Sequence, residues 1–195
     1  GTALPYNSYA GSTGRNSVLW GGLLNLSTRV GGGTKLSLNN TYTRTADNEA
    51  SQLSGDNEEF SQFNPLIFTR LDFVERSMRS SQLHGEHLLG DQHFVDWSIT
   101  SSGVDRDEPA RSALGSPRRP DENGQLVPST WVGLPRFATR TFSDLHETNW
   151  DFAGNYRLQL GSPSSGTAGK IGAAYRTTDR DADTRAYDII NLALD

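Results

Sequence analysis

Apolar residues in this chain recur at every second position in run after run, and almost never at the 3.6-residue spacing of a helix. From Val18 the even positions read Val18, Trp20, Gly22, Leu24 and Leu26, while the odd positions drift polar through Asn25, Ser27 and Arg29. Leu36, Leu38, Asn40 and Tyr42 alternate with Lys35, Ser37, Asn39, Thr41 and Thr43, and Val95, Trp97 and Ile99 alternate with Asp96, Ser98 and Thr100. The same pattern sets Trp150, Phe152, Gly154, Tyr156, Leu158 and Leu160 against Asp151, Asn155, Arg157 and Gln159, and Ile171, Ala173 and Tyr175 against Lys170 and Arg176. Successive side chains of a strand point to opposite faces, so such a chain builds strands with one apolar and one polar face. Six strands are expected, at about 17–29, 34–46, 68–89, 93–103, 137–160 and 170–188. The third alternates poorly, because Glu75, Arg76 and Arg79 place charge on both faces.

The connections between these runs alternate short and long: about 30–34, 48–67, 90–93, 103–136 and 161–169. Glycines supply the positive φ that tight hairpins need in Val30-Gly31-Gly32-Gly33-Thr34 and Leu89-Gly90-Asp91-Gln92-His93. The stretch from Gly103 to Pro135 holds Pro109, Pro117, Pro120, Pro128 and Pro135 and is expected to be a loop. Short turns on one side and long loops on the other are the signature of an outer-membrane β-barrel. Every backbone polar group in lipid must be paired inside the protein, so a spanning sheet closes on itself and turns its apolar side outward. Its other side is free to be polar, which reconciles a mean hydropathy of −0.59 with a membrane protein. Trp97, Tyr156 and Tyr175 lie about five residues from a short turn, and Trp20, Tyr42 and Trp150 about nine to eleven, suggesting two aromatic tiers. At a rise of ~3.3 Å per residue and a tilt of ~40°, the tiers are only ~15 Å apart, short of the ~25 Å expected of a lipid band. The fold class is therefore all-β, an antiparallel meander of about six long strands forming a partial transmembrane barrel.

Composition removes several kinds of chemistry. A net charge of −5 argues against a phosphate-binding surface as the main business of the chain, and so against nucleic acid as a partner. No cysteine is present, which excludes disulfides, thiolate nucleophiles and Cys-based metal sites together. Gly1 to Arg15 contain no basic segment followed by an apolar one, so no secretory signal is expected there. No Gly-x-Ser-x-Gly elbow or comparable framework sets a nucleophile beside a base, and Asp107-Glu108 lie in a polar stretch without an apolar pocket to raise a carboxyl pKa. An enzyme, a cofactor and catalytic residues are therefore not expected, although an outer-membrane lipase or protease is the enzymatic alternative. Asp179, Asp181 and Asp183 open like a calcium loop, but Thr184 and Ile190 occupy the places of its Gly and its Glu. A charged ladder is the better reading, with Asp105, Asp107, Asp181 and Asp183 paired to Arg106, Arg180 and Arg185 across strands. His84 and His87 fall on opposite faces of a strand, which leaves His84, His87 and His93 poorly placed to share a metal. Phe60, Phe63 and Trp131, in the long loops, are candidates for stacking on a sugar or aromatic ligand.

The segments Arg70-Leu71-Asp72-Phe73-Val74-Glu75-Arg76-Ser77, Gln82-Leu83-His84-Gly85-Glu86-His87, Asp96-Trp97-Ser98-Ile99-Thr100-Ser101-Ser102, Asp105-Arg106-Asp107-Glu108-Pro109 and Ala174-Tyr175-Arg176-Thr177-Thr178-Asp179-Arg180 resemble the barrel of TonB-dependent outer-membrane receptors. The resemblance extends over most of the chain. It implies a 22-stranded barrel with a plugged lumen, energised through TonB and importing a scarce solute of the siderophore, cobalamin or glycan class. The expected partners are then outer-membrane lipid, the TonB system acting through a plug domain absent from this chain, and a small-molecule or glycan ligand. The plug, the TonB box and a terminal aromatic residue have no counterpart here, the sequence closing on Leu194-Asp195, so an internal barrel fragment is expected. The alternative from another class is a soluble or secreted β-sandwich for binding or adhesion, whose apolar faces would meet in a core.

Overall fold

The computed structural model describes residues 7–59, 65–128, 137–161 and 166–190. Six long strands and one short one are present: β1 (Asn7–Val30), β2 (Thr34–Asn57), β3 (Leu66–Leu89), β4 (His93–Pro120), β5 (Leu126–Pro128), β6 (Ala138–Gln159) and β7 (Ala168–Asp188). Every pairing is antiparallel, and the long strands follow chain order, β1-β2-β3-β4-β6-β7. The short β5 folds back on the end of β4, with Pro120 opposite Leu126. The all-β meander expected from the alternation is thus the architecture of the described residues.

Local sequence accounts for the turns. Val30 pairs with Thr34 and Leu89 with His93, leaving three-residue connections that begin at Gly31 (φ 64°) and Gly90 (φ 70°). Only glycine takes up that left-handed backbone without steric cost, and it lets the chain reverse within the strand twist.

The strands extend well beyond the clean alternation. β1 begins at Asn7 instead of about 17, and β2 continues to Asn57 through the polar stretch expected to be loop from 48 onward. The expected loop over 103–136 is likewise mostly strand, since β4 reaches Pro120. A ladder is made by backbone groups, so polar side chains are no obstacle when each neighbour supplies a partner. Asn7 to Asn16 pair with Asn48 to Asn57 throughout. The prolines are accommodated where a missing N–H does little harm. Pro109 lies where β4 carries one extra residue, between Glu108 opposite Ser143 and Arg111 opposite Thr141, and Pro120 and Pro128 end their strands.

No second sheet packs on this one among the described residues. β7 is exposed along its entire length and β1 along nearly all of it, and Leu24, Trp20 and Tyr175 remain 56%, 53% and 66% exposed. Two packed faces, as a sandwich requires, are therefore not what these strands build. The buried apolar residues, Leu66, Ile67, Val74, Phe137 and Ala138, gather toward the ends of the strands remote from the three-residue turns. There Phe68 stacks on Phe137 and meets Tyr9 edge to face, with ring centroids 6.1 and 5.5 Å away.

Candidate functional site

Register converts the alternation into two chemically distinct faces. One row runs Leu26–Leu38–Leu83–Ile99–Phe152–Tyr175, each residue directly opposite the next across all six long strands. The adjacent row, one residue along each strand and so on the other face, runs Asn25–Asn39–Gln82–Thr100–Asp151–Arg176. The first row is apolar at every strand and the second polar at every strand.

Around the apolar row, rings fill the face. Phe152 stacks between Trp150 and Tyr175 at 6.2 and 6.5 Å, and Trp20 lies 5.2 Å from Tyr42. Nearer the short turns, the Trp97 indole lies across Gly85, where a Cβ would stand 2.4 Å from the ring. Its Nε1–H donates to His87 Nε2 at 2.9 Å, while His87 Nδ1 is 3.1 Å from the Thr34 hydroxyl. An indole N–H can only donate, so His87 keeps a lone pair on Nε2 and is neutral in this arrangement. The His93 Nδ1 is 2.6 Å from the Tyr156 hydroxyl. His84 stands on the opposite face, 3.6 Å from Glu86, as the period of two predicts.

The polar face is a hydrogen-bonded sheet of side chains. Asn39 donates to Gln82, Gln82 to Thr100 and Asn155 to Asp96, at 3.2, 3.2 and 2.6 Å; Arg176 contacts Asp151. Lys35 pairs with Glu86 at 3.1 Å. Leu19, Leu23, Met78, Val104 and Leu145 interrupt this face.

Farther from the short turns the polar face becomes strongly charged. Asp47 receives Ser17 at 2.6 Å, Arg76 at 2.9 Å and Arg15 at 3.3 Å. Glu108, 2% exposed, is held by Arg106 at 2.6 Å and Arg111 at 3.3 Å, and Arg70 bonds Asp72 at 2.9 Å. Sequence reading missed this cluster. Its one legible signal was the shared parity of Arg70, Asp72 and Arg76 within a single strand.

The expected ladder of aspartates and arginines forms differently. Arg106 and Arg180 lie on the face opposite Asp105, Asp107, Asp181 and Asp183, so they pair with Glu108 and Glu147 instead. Asp183 meets Arg185 within its own strand at 2.9 Å. Asp105 accepts from His146 and from the Ser77 hydroxyl, and Asp107, Asp144 and Asp183 stand side by side in one row. Among the described residues no three such side chains are grouped to hold a metal. Phe60, Phe63 and Trp131 lie outside the described residues.

The chain matches no protein-family model and no curated protein sequence. The chemistry of the two faces is therefore the basis for assigning a function.

Two carboxyls beyond the apolar rows titrate below the ordinary aspartate range. For Asp105 the cause is first the hydrogen bond from His146, then Ser77 and the charge of Arg79. For Asp47 it is first the hydrogen bond from Ser17, then Arg15 and Arg76. A depressed folded pKa contributes stability that is whole above the unfolded value of about 4 and is lost as pH falls through the lower folded value. The thermal midpoint should accordingly drop as pH falls below about 4, and Asp105→Asn should flatten that acid limb. An acid limb that is identical in the variant would show that Asp105 does not contribute to it.

Proposed function

We propose that this chain forms part of the wall of a TonB-dependent outer-membrane receptor, a β-barrel that takes up a scarce solute. The observation that carries this reading is the pair of adjacent rows, Leu26 to Tyr175 apolar at six strands and Asn25 to Arg176 polar at six strands. In water, an exposed apolar row crossing six strands has no favourable surroundings, and surface patches beyond a few hundred Å² mark contact with a partner or a membrane. Hydrocarbon suits one face and a water-filled lumen suits the other, which is the division of labour in a transmembrane barrel. The rings of Trp20, Tyr42, Trp150, Trp97 and Tyr156 suit the interfaces. Among the described residues no strand pairs along the outer edge of β1 or β7, and a barrel wall would need further strands there, because an open edge within lipid is too costly. The resemblance of segments such as Asp96-Trp97-Ser98-Ile99-Thr100-Ser101-Ser102 to receptor barrels favours this barrel type. On this reading the location is the outer membrane, the partners are lipid, TonB acting through a plug domain, and a small-molecule or glycan ligand, and no covalent chemistry is performed.

Fluorescence quenching tests the orientation. In a background with every native Trp replaced by Phe, a variant retaining Trp150 and another carrying Thr100→Trp would be placed in vesicles of brominated lipid. Trp150 should be quenched strongly and the Thr100→Trp variant only weakly; equal quenching would remove the basis of the proposal. In cells, loss of the gene and loss of TonB should impair growth on the same limiting solute, and growth that ignores TonB would exclude the receptor.

A further inference from the structure

We propose that the charged cluster on the polar face, built on Arg15, Arg70, Arg76, Arg106 and Arg111, binds a small solute carrying an oxyanion group, a carboxylate or a phosphate. This deepens the receptor reading and rests on it in one respect: the polar face is taken as the wall of the solute path.

The cluster is layered by charge. In each of its ion pairs the carboxylate is sunk and the guanidinium is held out to solvent. Asp47 and Asp72 side chains are 14% and 16% exposed and Glu108 2%, whereas Arg15, Arg70, Arg76, Arg106 and Arg111 are 61%, 49%, 46%, 31% and 38% exposed. An approaching solute therefore meets guanidinium groups before it meets the acids beneath them. Glu49, placed opposite Arg15 and Asp72, is the fourth acid of the patch, so five arginines face four carboxylates. Register brings the subsites together, because Arg76 lies directly opposite Arg106. Like charges opposed in a ladder repel, and here Asp47 holds one and Glu108 the other in place.

Donor capacity is left over. A guanidinium carries five N–H donors in a planar fork. Among the described residues Arg76 bonds only Asp47, and Arg106 bonds Glu108 and the Ser143 hydroxyl, the latter at 3.3 Å. The remaining donors have the geometry that receives carboxylate or phosphate oxygens in pairs. Fixing the guanidiniums on acids that are more covered than they are lowers the entropy lost when a ligand binds, which is the advantage of preorganisation. Toward the short turns the next row on this face is Thr43–Met78–Val104–Glu147, and beyond it Thr41, Ser80, Ser102 and Asn149 offer neutral hydroxyls and an amide farther along the same face.

The test uses the full chain in detergent micelles and follows the arginine Nε resonances by NMR while succinate or inorganic phosphate is added at constant ionic strength, with chloride as the reference anion. Succinate or phosphate should shift a subset of arginine signals saturably, and comparison of the two arms identifies the preferred oxyanion. Arg76→Lys and Arg106→Lys keep the charge on Asp47 and Glu108 but lose the fork, and each should weaken binding about tenfold or more. Arg185→Lys, on the opposite face, should leave it unchanged. Shifts no greater than those with chloride, equal weakening by Arg185→Lys, or saturation by an acidic peptide with neither small anion would each overturn the proposal. The lipid-quenching result is independent of these outcomes. Quenched Trp150 without oxyanion binding would remove this inference and leave the barrel, and binding without quenching would do the reverse.

Discussion

On the proposed barrel reading, arginine at Phe152 should destabilise the protein in lipid vesicles by about 2–4 kcal/mol, the cost of a cation near the bilayer midplane on the lipid side of a barrel. Phe152 lies in the all-apolar row between Ile99 and Tyr175, stacked with Trp150, so the new charge has no carboxylate directly opposite it and, on the proposed reading, meets hydrocarbon. The same residue introduced one row away has the opposite setting. Thr100→Arg places a guanidinium on the polar face directly opposite Asp151, where a change within about 0.5 kcal/mol is expected of a surface site. Urea unfolding of both variants in lipid vesicles, followed by the loss of tryptophan emission, gives the comparison. If the two substitutions cost the same, the faces do not differ in solvent and the membrane assignment fails.

The second large effect concerns Glu108. Removing one partner of a buried ion pair leaves the remaining charge uncompensated, and such losses run to about 3–5 kcal/mol when all groups are buried. Arg106 and Arg111 are only partly buried, and water recovers part of that cost. Glu108→Ala is accordingly expected to lose about 2–3 kcal/mol, below the full range. The position magnifies the effect, since Glu108 sits beside Pro109 where β4 bulges and the pairing with β6 slips by one residue. Glu108→Gln retains a hydrogen-bond acceptor and should recover part of the loss. Arg185→Ala, whose partner Asp183 is half exposed on an edge strand, should change stability by less than about 1 kcal/mol. Comparable unfolding midpoints for Glu108→Ala and Arg185→Ala would show that burial of this carboxylate carries no special weight.

The two substitutions differ in how much of their setting could be read in advance. Phe152 belongs to a run whose alternation is plain, so its strand and its face follow from composition at every second position. Glu108 follows an acidic stretch and precedes a proline, a context that favours a loop by every local rule. Only the neighbours decided otherwise. β3 and β6 offer backbone partners on both sides of β4, and the bulge absorbs the proline and its missing N–H. The strand ends were hidden for the same reason: Asn7 to Asn16 and Asn48 to Asn57 have no apolar period to announce them, and they are ordered by each other.

The candidate site divides along the same line. Parity within a strand is a local property, and it correctly separated His84 from His87 and Trp97 from Asp96. Pairing between strands is not local. The expected partners of Asp105 and Asp107 failed because Arg106 and Arg180 have the wrong parity, a check the residue numbers allowed once the register was known. His146 as the partner of Asp105, and the meeting of Arg15 with Arg76 on one aspartate, join residues far apart in the chain.

By itself, then, the sequence determined an all-β meander with one apolar and one polar side to each strand, because a period of two admits no other regular structure. Tertiary structure decided which residues stand opposite one another, how far each strand continues past its apolar stretch, and where five arginines are held above less exposed acids. Those outcomes depend on hydrogen bonds and charges between distant segments, and the free energy of such contacts exists only after the strands have come together.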